Sequence, residues 1–522
     1  MNIHINRFLT ILLISILMVA CHAFNEENAT LIRRTPSITP DYKEVTVPVN
    51  MAPLNFVIDE PGAFFQVKLT GENNSQIRIT SSNGKIKIPI SKWKKILTDN
   101  TDGRIKVEVF TKENNRELKK FAPFHINIVK EEIDSYLVYR LIHPGYYNWS
   151  EIKIVQRSLE NFKTHSLLEN QTINKNCINC HAFNQNNGDQ FLIHIRGSHG
   201  GTYFMDKDKL SRHDLKTDAM PGSATYPTWH PSGEFVAFSS NQVRQNFYSQ
   251  RSKSIEVYDL ISSLILYDRS SNEITNITDT NTATPLQTFP SWSPDGKYLY
   301  YCDATFCDSV NLAVDATDIE NIHYNLKRRA FNIKDKSFKE PELIFDAAAI
   351  NKSVSFPRIS PDGKYAIITV TDFGTFPIWH KEADLHLINL ENGEHKKLAL
   401  NSDETESYHS WSSNGKWIVF SSKRIDKRAA VPFFSYFESW ETIGKPFALP
   451  QKDPALYNHM LESFNIPELV RNKVNVTSRN FEKAVKQSAK KAKKEQGLEN
   501  IPQWTKRNKE AKRSHLEKGI HE

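Results

Sequence analysis

Four segments of this chain repeat one another: YPTWHPSGEFVAFSS (226–240), FPSWSPDGKYLYYC (289–302), FPRISPDGKYAIITV (356–370) and YHSWSSNGKWIVFSS (408–422). Each carries an aromatic residue, usually a Pro, a large residue, a four-residue turn ending in Gly, and then a strand. S-P-D-G puts Pro at the second position of a tight turn and Gly at its end. The flanking residues therefore form two strands, and the Trp packs beneath the turn. Successive turns start 63, 67 and 52 residues apart, which leaves room for two more strands per unit. DLHLINLENGEHKKLAL (384–400) and LILYDRSSNEITNITD (264–279) read as those outer hairpins. Four-stranded units at this period build a β-propeller.

These segments resemble the WD-like propeller repeats of the TolB family, whose blades carry the same S-P-D-G-K signature. The resemblance covers roughly 190–450, and QFLIHIRGSHGGTYFMDKDKLSRHDLK makes a fifth, degenerate blade. A closing sixth is expected from the stretch near 135–160 or from 430–450. Upstream, YKEVTVPVN, FFQVKLTG, SQIRITSSNGKIKIPI and GRIKVEVFTK alternate apolar and polar residues with period two. Asn83-Gly84 between two such runs signals a hairpin, and a stretch of this length suits a small antiparallel sandwich. The expected fold is mainly β: an N-terminal antiparallel β-sandwich, a six-bladed TolB-like β-propeller, and a short helical C-terminal tail.

The ends add two further segments. Arg7 followed by FLTILLISILMVA and Cys21 is too short for a bilayer-spanning helix and reads as an export signal. LMVAC looks like a bacterial lipobox, which makes Cys21 the lipidated first residue of the mature chain; ordinary cleavage near ACHA is the alternative. At the other end, residues 471–522 hold 15 Lys/Arg against 6 Asp/Glu, whereas the remaining 470 residues hold 52 against 54. The net positive charge of the chain thus comes from its tail. Such a tail suits anionic lipid or nucleic acid; export argues against nucleic acid, and a solvated helix with a loose end is the plainer reading. NIPE at 465–468 reads as a helix start with Pro in the first turn. The expected organisation is signal peptide 1–20, tether 21–40, sandwich 41–130, junction 131–190, propeller 191–450, helical strap 451–475 and basic tail 476–522.

The junction contains NKNCINCHAFN (174–184). Cys177, Cys180 and His181 form C-x-x-C-H, the pattern that attaches a c-type haem. Two thiols bind the two vinyl groups, and the His after the second Cys lies beneath the iron. On this reading Cys177 and Cys180 hold one covalent haem c and His181 is the proximal iron ligand. The sixth ligand is open among His194, His199, Met205, Met220, His230, His459 and Met460. His194 leads that field, and nearby Arg196 is a candidate propionate partner. A Cys177–Cys180 disulfide and a zinc site are the alternatives; zinc would need two more ligands, and Cys302 and Cys307 lie blades away. Those two cysteines flank DATF and reach disulfide range only if that stretch turns back.

TVPVNMAPLNF, CINCHAFN, HIRGSHGGT and PTWHPSGEFVAFS together resemble a group of TolB-like exported lipoproteins of Bacteroidetes type with an embedded cytochrome c motif. The resemblance implies a cell-envelope protein, anchored in the outer membrane through Cys21 and facing periplasm or cell surface, with an envelope or redox partner. Two functions follow: electron transfer or a haem-bearing scaffold, or a haem-free protein-binding propeller with a structural Cys pair. No G-x-S-x-G hydrolase domain follows residue 450, so the propeller-peptidase reading fails. Peroxidase chemistry would require the haem with a vacant sixth site.

Overall fold

Six antiparallel blades stand in a ring. The first takes Tyr136–Ile142, Lys153–Ser158 and Thr164–Glu169 from one end of the ring-forming sequence, and its innermost strand, Ser463–Val470, from the other. The remaining five run in order, with innermost strands Cys177–Asn184, Ala224–Trp229, Pro285–Trp292, Ser353–Ile359 and Glu406–Trp411. The six innermost strands neighbour one another in cyclic order, the last returning to the first. The computed structural model describes residues 26–494 except 115, 144–150, 208, 218–219, 248–254, 280–284 and 306–318. The expected export signal, Cys21 and Cys307 lie outside the described residues.

Every innermost strand breaks its ladder at the same place. The register shifts beside Cys180, Tyr226, Phe289, Phe356, Tyr408 and Ile466. Each of these residues has a left-handed backbone, with φ between 48° and 52°. A bulky residue there costs roughly 1–2 kcal/mol, and burying a large apolar side chain returns about 1.5–3 kcal/mol. The bulge turns all six toward the propeller axis, where they close the channel. Phe289 lies 4.0 Å from Phe356 and 4.5 Å from Tyr226, and Phe356 lies 5.0 Å from Tyr408, centroid to centroid. The next residue sits in the bulge and needs no ladder bond, which suits Pro227, Pro290, Pro357 and Pro467 because proline has no N–H to lose.

The turns follow their sequence. In SPDG, the Ser293 hydroxyl donates to Asp295 (2.6 Å) and accepts from the Tyr298 amide (2.9 Å); Ser360 and Ser412 repeat this with Asp362 and Asn414. Two of the tryptophans below latch blade to blade: Trp229 Nε1 donates to the Ala182 carbonyl and Trp411 Nε1 to that of Arg358.

Upstream, a seven-stranded sheet and a three-stranded sheet (Ile38–Thr39, Phe56–Ile58, Lys85–Ile86) enclose a core with the α-helix Ile90–Asp99. Three expectations change here. The large sheet is mixed, because Thr30–Ile32 pairs parallel with Leu118–Phe121 and Val45–Pro48 parallel with Phe124–Val129. Asn83-Gly84 makes no hairpin: Gln76–Ser81 pairs in the large sheet and Lys85–Ile86 in the small one, so the turn hands the chain between sheets. Within the stretch read as tether, Thr30–Ile32 belongs to the large sheet and Ile38–Thr39 to the small one. This unit shares one apolar core with the sixth blade through Val45, Trp93, Trp417 and Phe447. Trp417 Nε1 donates to the Glu131 carbonyl, and the Ser413 hydroxyl to Asp134.

The expected junction 131–190 is blade: the ring begins at Tyr136, not near 191. The expected strap 451–475 contains the closing strand, and NIPE is part of it rather than a helix start. Val431–Tyr436 and Phe447–Ala448 complete the sixth blade. The described part of the basic tail is docked. Helix Ser478–Ala484 buries Phe481 against the core of the first two blades. Lys490–Lys491 and Lys493–Lys494 then pair with the outer edges of the second and third blades.

Phe289→Ala opens a cavity in the axial plug. Denaturant unfolding should show a loss of about 3 kcal/mol or more; an unchanged midpoint would mean that the plug does not hold the ring.

Candidate functional site

C-x-x-C-H is the innermost strand of the second blade, and its three groups do not converge. Residues directly opposite in an antiparallel pair share a face. Cys177 opposes Arg196 and Asn179 opposes His194, with Cys177 at the edge of the core of the first two blades and Asn179 accepting from Arg140 of the first blade. Ile178 opposes Ile195 and His181 opposes Ile193, on the face that packs on the first blade. Cys180 is the bulged residue and turns to the axis, in electrostatic contact with Tyr226. A c-type haem needs both thiols at its edge and the imidazole beneath its iron. Here Cys180 turns to the axis, Cys177 packs at the edge of the core of the first two blades, and the two expected axial ligands, His181 opposite Ile193 and the adjacent His194, lie on opposite faces of the sheet. The residues present do not fit a c-type haem in this fold.

A second copy of His181 explains what it does. Aligned on the bulge, Cys180-His181 takes the place of Tyr226-Pro227, and Tyr408-His409 is the other repeat with His after the axial residue. His409 Nε2 bonds the Ile367 carbonyl of the preceding blade (2.9 Å). His181 faces the matching backbone of the first blade, at Val138 and Ile466, although its Nε2 makes no hydrogen bond. Burial lowers both imidazoles to about 3, so they are neutral packing groups. Burial likewise raises the Cys180 thiol.

Three of the other candidates have packing contacts of their own. His194 is buried, with Nδ1 3.2 Å from the Thr202 hydroxyl and its pKa lowered to about 3 by burial. Arg196 stands beside Cys177 on the His194 face. His230 packs on the next blade's turn, its ring 4.8 Å from Trp292 and its Nε2 3.2 Å from the Gly296 carbonyl. Cys177, Cys180 and Cys302 are free thiols, so the Cys177–Cys180 disulfide is not formed. Among the described residues no group of three or more His, Cys, Asp or Glu converges to hold a metal ion.

What the ring does offer is an axial funnel of about 380 Å³, where the innermost strands meet their first turns. The aromatic plug closes its inner end. Its wall is the second residue after each bulge: Ala182, Thr228, Ser291, Arg358, Ser410 and Glu468. Four are small and two are charged. Glu468 accepts from the Phe183 amide (3.1 Å), and burial raises its carboxyl to about 7 against the pull of Arg358. Burial lowers the Arg358 guanidinium against the pull of Glu468 and Cys180, and its charge adds to the lowering of His181 and His409. Neither charged residue stood out in the sequence; a column drawn through all six repeats would have shown both.

No family model matches the chain, and no curated protein matches it. Solved structures do. The chain is similar to an oligogalacturonate lyase from Vibrio parahaemolyticus at 13% identity, covering 59% of this chain and 91% of that one with a TM-score of 0.33. A putative dipeptidyl aminopeptidase IV from Bacteroides ovatus matches at 12% identity over 57% of each chain, with a TM-score of 0.23. A nidogen/laminin complex matches at 10% identity, covering 60% and 92%, with a TM-score of 0.35. These likenesses concern the fold alone. The chain is a mainly β protein with a β-propeller.

At the other mouth, the long hairpin Phe235–Phe247 and Ile255–Asp268 reaches the fifth blade. There His380 bridges Glu256 (3.2 Å) and Glu382 (2.8 Å), and the two carboxylates outweigh burial to hold it at about 9.

The neutral histidines set an acid limit. The pKa values of His181, His194 and His409 are lower folded than unfolded, so the unfolded chain takes up protons first as pH falls. Their contribution is complete above pH 6.5 and is lost toward about 3. The urea midpoint should therefore drop between about pH 7.5 and about pH 5.5, and the drop should be smaller in His181→Gln/His409→Gln. An equal drop in that variant would assign the acid sensitivity elsewhere.

Proposed function

We propose that this chain is an exported, partner-binding propeller of the cell envelope that carries no haem and presents the axial funnel as its binding face. The observation that carries this reading is the repeat equivalence of His181 and His409. It gives C-x-x-C-H a packing role in the ring and leaves the two expected axial imidazoles on opposite faces of one sheet. The funnel supports the second half: six strand ends and turns converge there, and its wall has two charged side chains where the other four positions are small. The lipobox reading of Cys21 supports anchoring of the propeller at a membrane surface.

Two measurements test this. Export in a host with c-type maturation machinery, followed by denaturation, should give no pyridine haemochrome spectrum and an intact mass without added haem. A surviving spectrum with the mass of one haem would overturn the haem-free reading and reinstate electron transfer. Separately, benzoylphenylalanine placed at Pro294, on the funnel mouth, should give discrete protein adducts on irradiation in cells. The same group at Asn392, on an exposed outer turn of the fifth blade, should not. Equal or absent adducts from both would overturn the binding face.

A further inference from the structure

The six residues that wall the funnel occupy one position of the repeat, so they form a layer around the axis just outside the plug. Blade packing fixes what that layer tolerates. Ala182, Thr228, Ser291 and Ser410 keep the axis open, and Ser410 further ties itself to the Pro467 carbonyl of the first blade (3.0 Å). Arg358 and Glu468 depart from this pattern, on the fifth and first blades, with the sixth between them. Their charges are opposite, yet they act on each other only through space, with no hydrogen bond between them. Glu468 turns one oxygen to the Phe183 amide instead.

Arg358 is thereby left in an unusual state. Its backbone carbonyl is taken by Trp411, but its guanidinium makes no hydrogen bond to any described residue. A guanidinium carries five N–H donors in a planar fork and is costly to leave unmet when partly withdrawn from water. The plug lies on its inner side and the funnel on its outer side. Whatever meets those donors enters from the mouth, where Arg471 adds a second positive charge at the rim. The fork matches a carboxylate in bidentate geometry. Glu468 is compatible with the same choice, because burial raises its carboxyl and it presents less negative charge to a bound carboxylate than an exposed glutamate would.

We propose that the axial funnel binds a carboxylate, carried on a free small acid or on an acidic residue of a protein partner, with Arg358 as the residue that reads it. This rests on the funnel being the binding face. The site requires no metal and no covalent step. The 380 Å³ of the funnel falls in the range of small-ligand pockets and admits a side chain or a short acid.

The test uses the full mature chain and two probes. One is glutarate; the other is an acetylated, amidated and fluorescently labelled Gly-Glu-Glu-Glu-Gly peptide, with its Gln counterpart as control. Anisotropy should show saturable binding of the Glu peptide and none of the Gln peptide. Arg358→Gln should weaken binding by about tenfold or more, the loss of one charge-assisted pair. Arg358→Lys, which keeps the charge without the fork, should fall between. Unaltered thermal unfolding of both variants excludes misfolding as the cause. Glutarate binding with the same dependence on Arg358, and no peptide binding, would assign the site to a free acid. No binding of either probe to the wild-type chain, or equal binding to Arg358→Gln, would overturn the proposal. Persistence of Pro294 adducts in that case would leave the binding face standing, whereas their absence would remove both.

Discussion

The bulge in each innermost strand governs the rest of the ring. It forces a non-glycine residue into left-handed backbone six times over, a strain that stands only because each side chain is then driven into a common apolar plug. The same bulge frees the following position from the ladder, where proline or a backbone-facing histidine fits. It also swings the residue after that toward the axis. Plug, inter-blade contact and funnel wall are thus three consecutive positions of one local distortion.

The repeats that keep an aromatic and a Gly-ended turn were legible in the sequence, because turn chemistry and packing beneath the turn act within a few residues. Of the two repeats without the aromatic, outer strands were legible at 190–216 and near 135–160, but the innermost strands were not. Cys180 holds its place in the second blade, where CHAFNQNNGDQFLIHI follows the course of YPTWHPSGEFVAFS without the aromatic or the Pro. Ile466 holds it in the closing strand, so FNIPEL looked like a helix start when its Pro is the bulge proline. Ring closure by a distant segment is a tertiary fact with no local signature. The same holds at Asn83-Gly84, where the turn is as expected but the partner of each flanking strand is chosen by the two sheets around it.

The histidines show how far a short pattern can mislead when its spacing alone is considered. C-x-x-C-H brings its groups to one side when the chain turns through it. In an extended strand the same five residues alternate, and the bulge at Cys180 adds a third direction. The environment then decides the chemistry: apolar burial holds His181 and His194 neutral, while two carboxylates hold His380 charged. Identical side chains thus carry opposite duties within one ring.

The plug has a kinetic corollary. Because Cys180, Tyr226, Phe289, Phe356, Tyr408 and Ile466 close the axis, the funnel is a dead-end well and not a conduit. Whatever enters must leave by the way it came, and a second molecule cannot push the first out from behind. Residence time is therefore governed by a single aperture, and a partner docked over that aperture would imprison any small guest already inside.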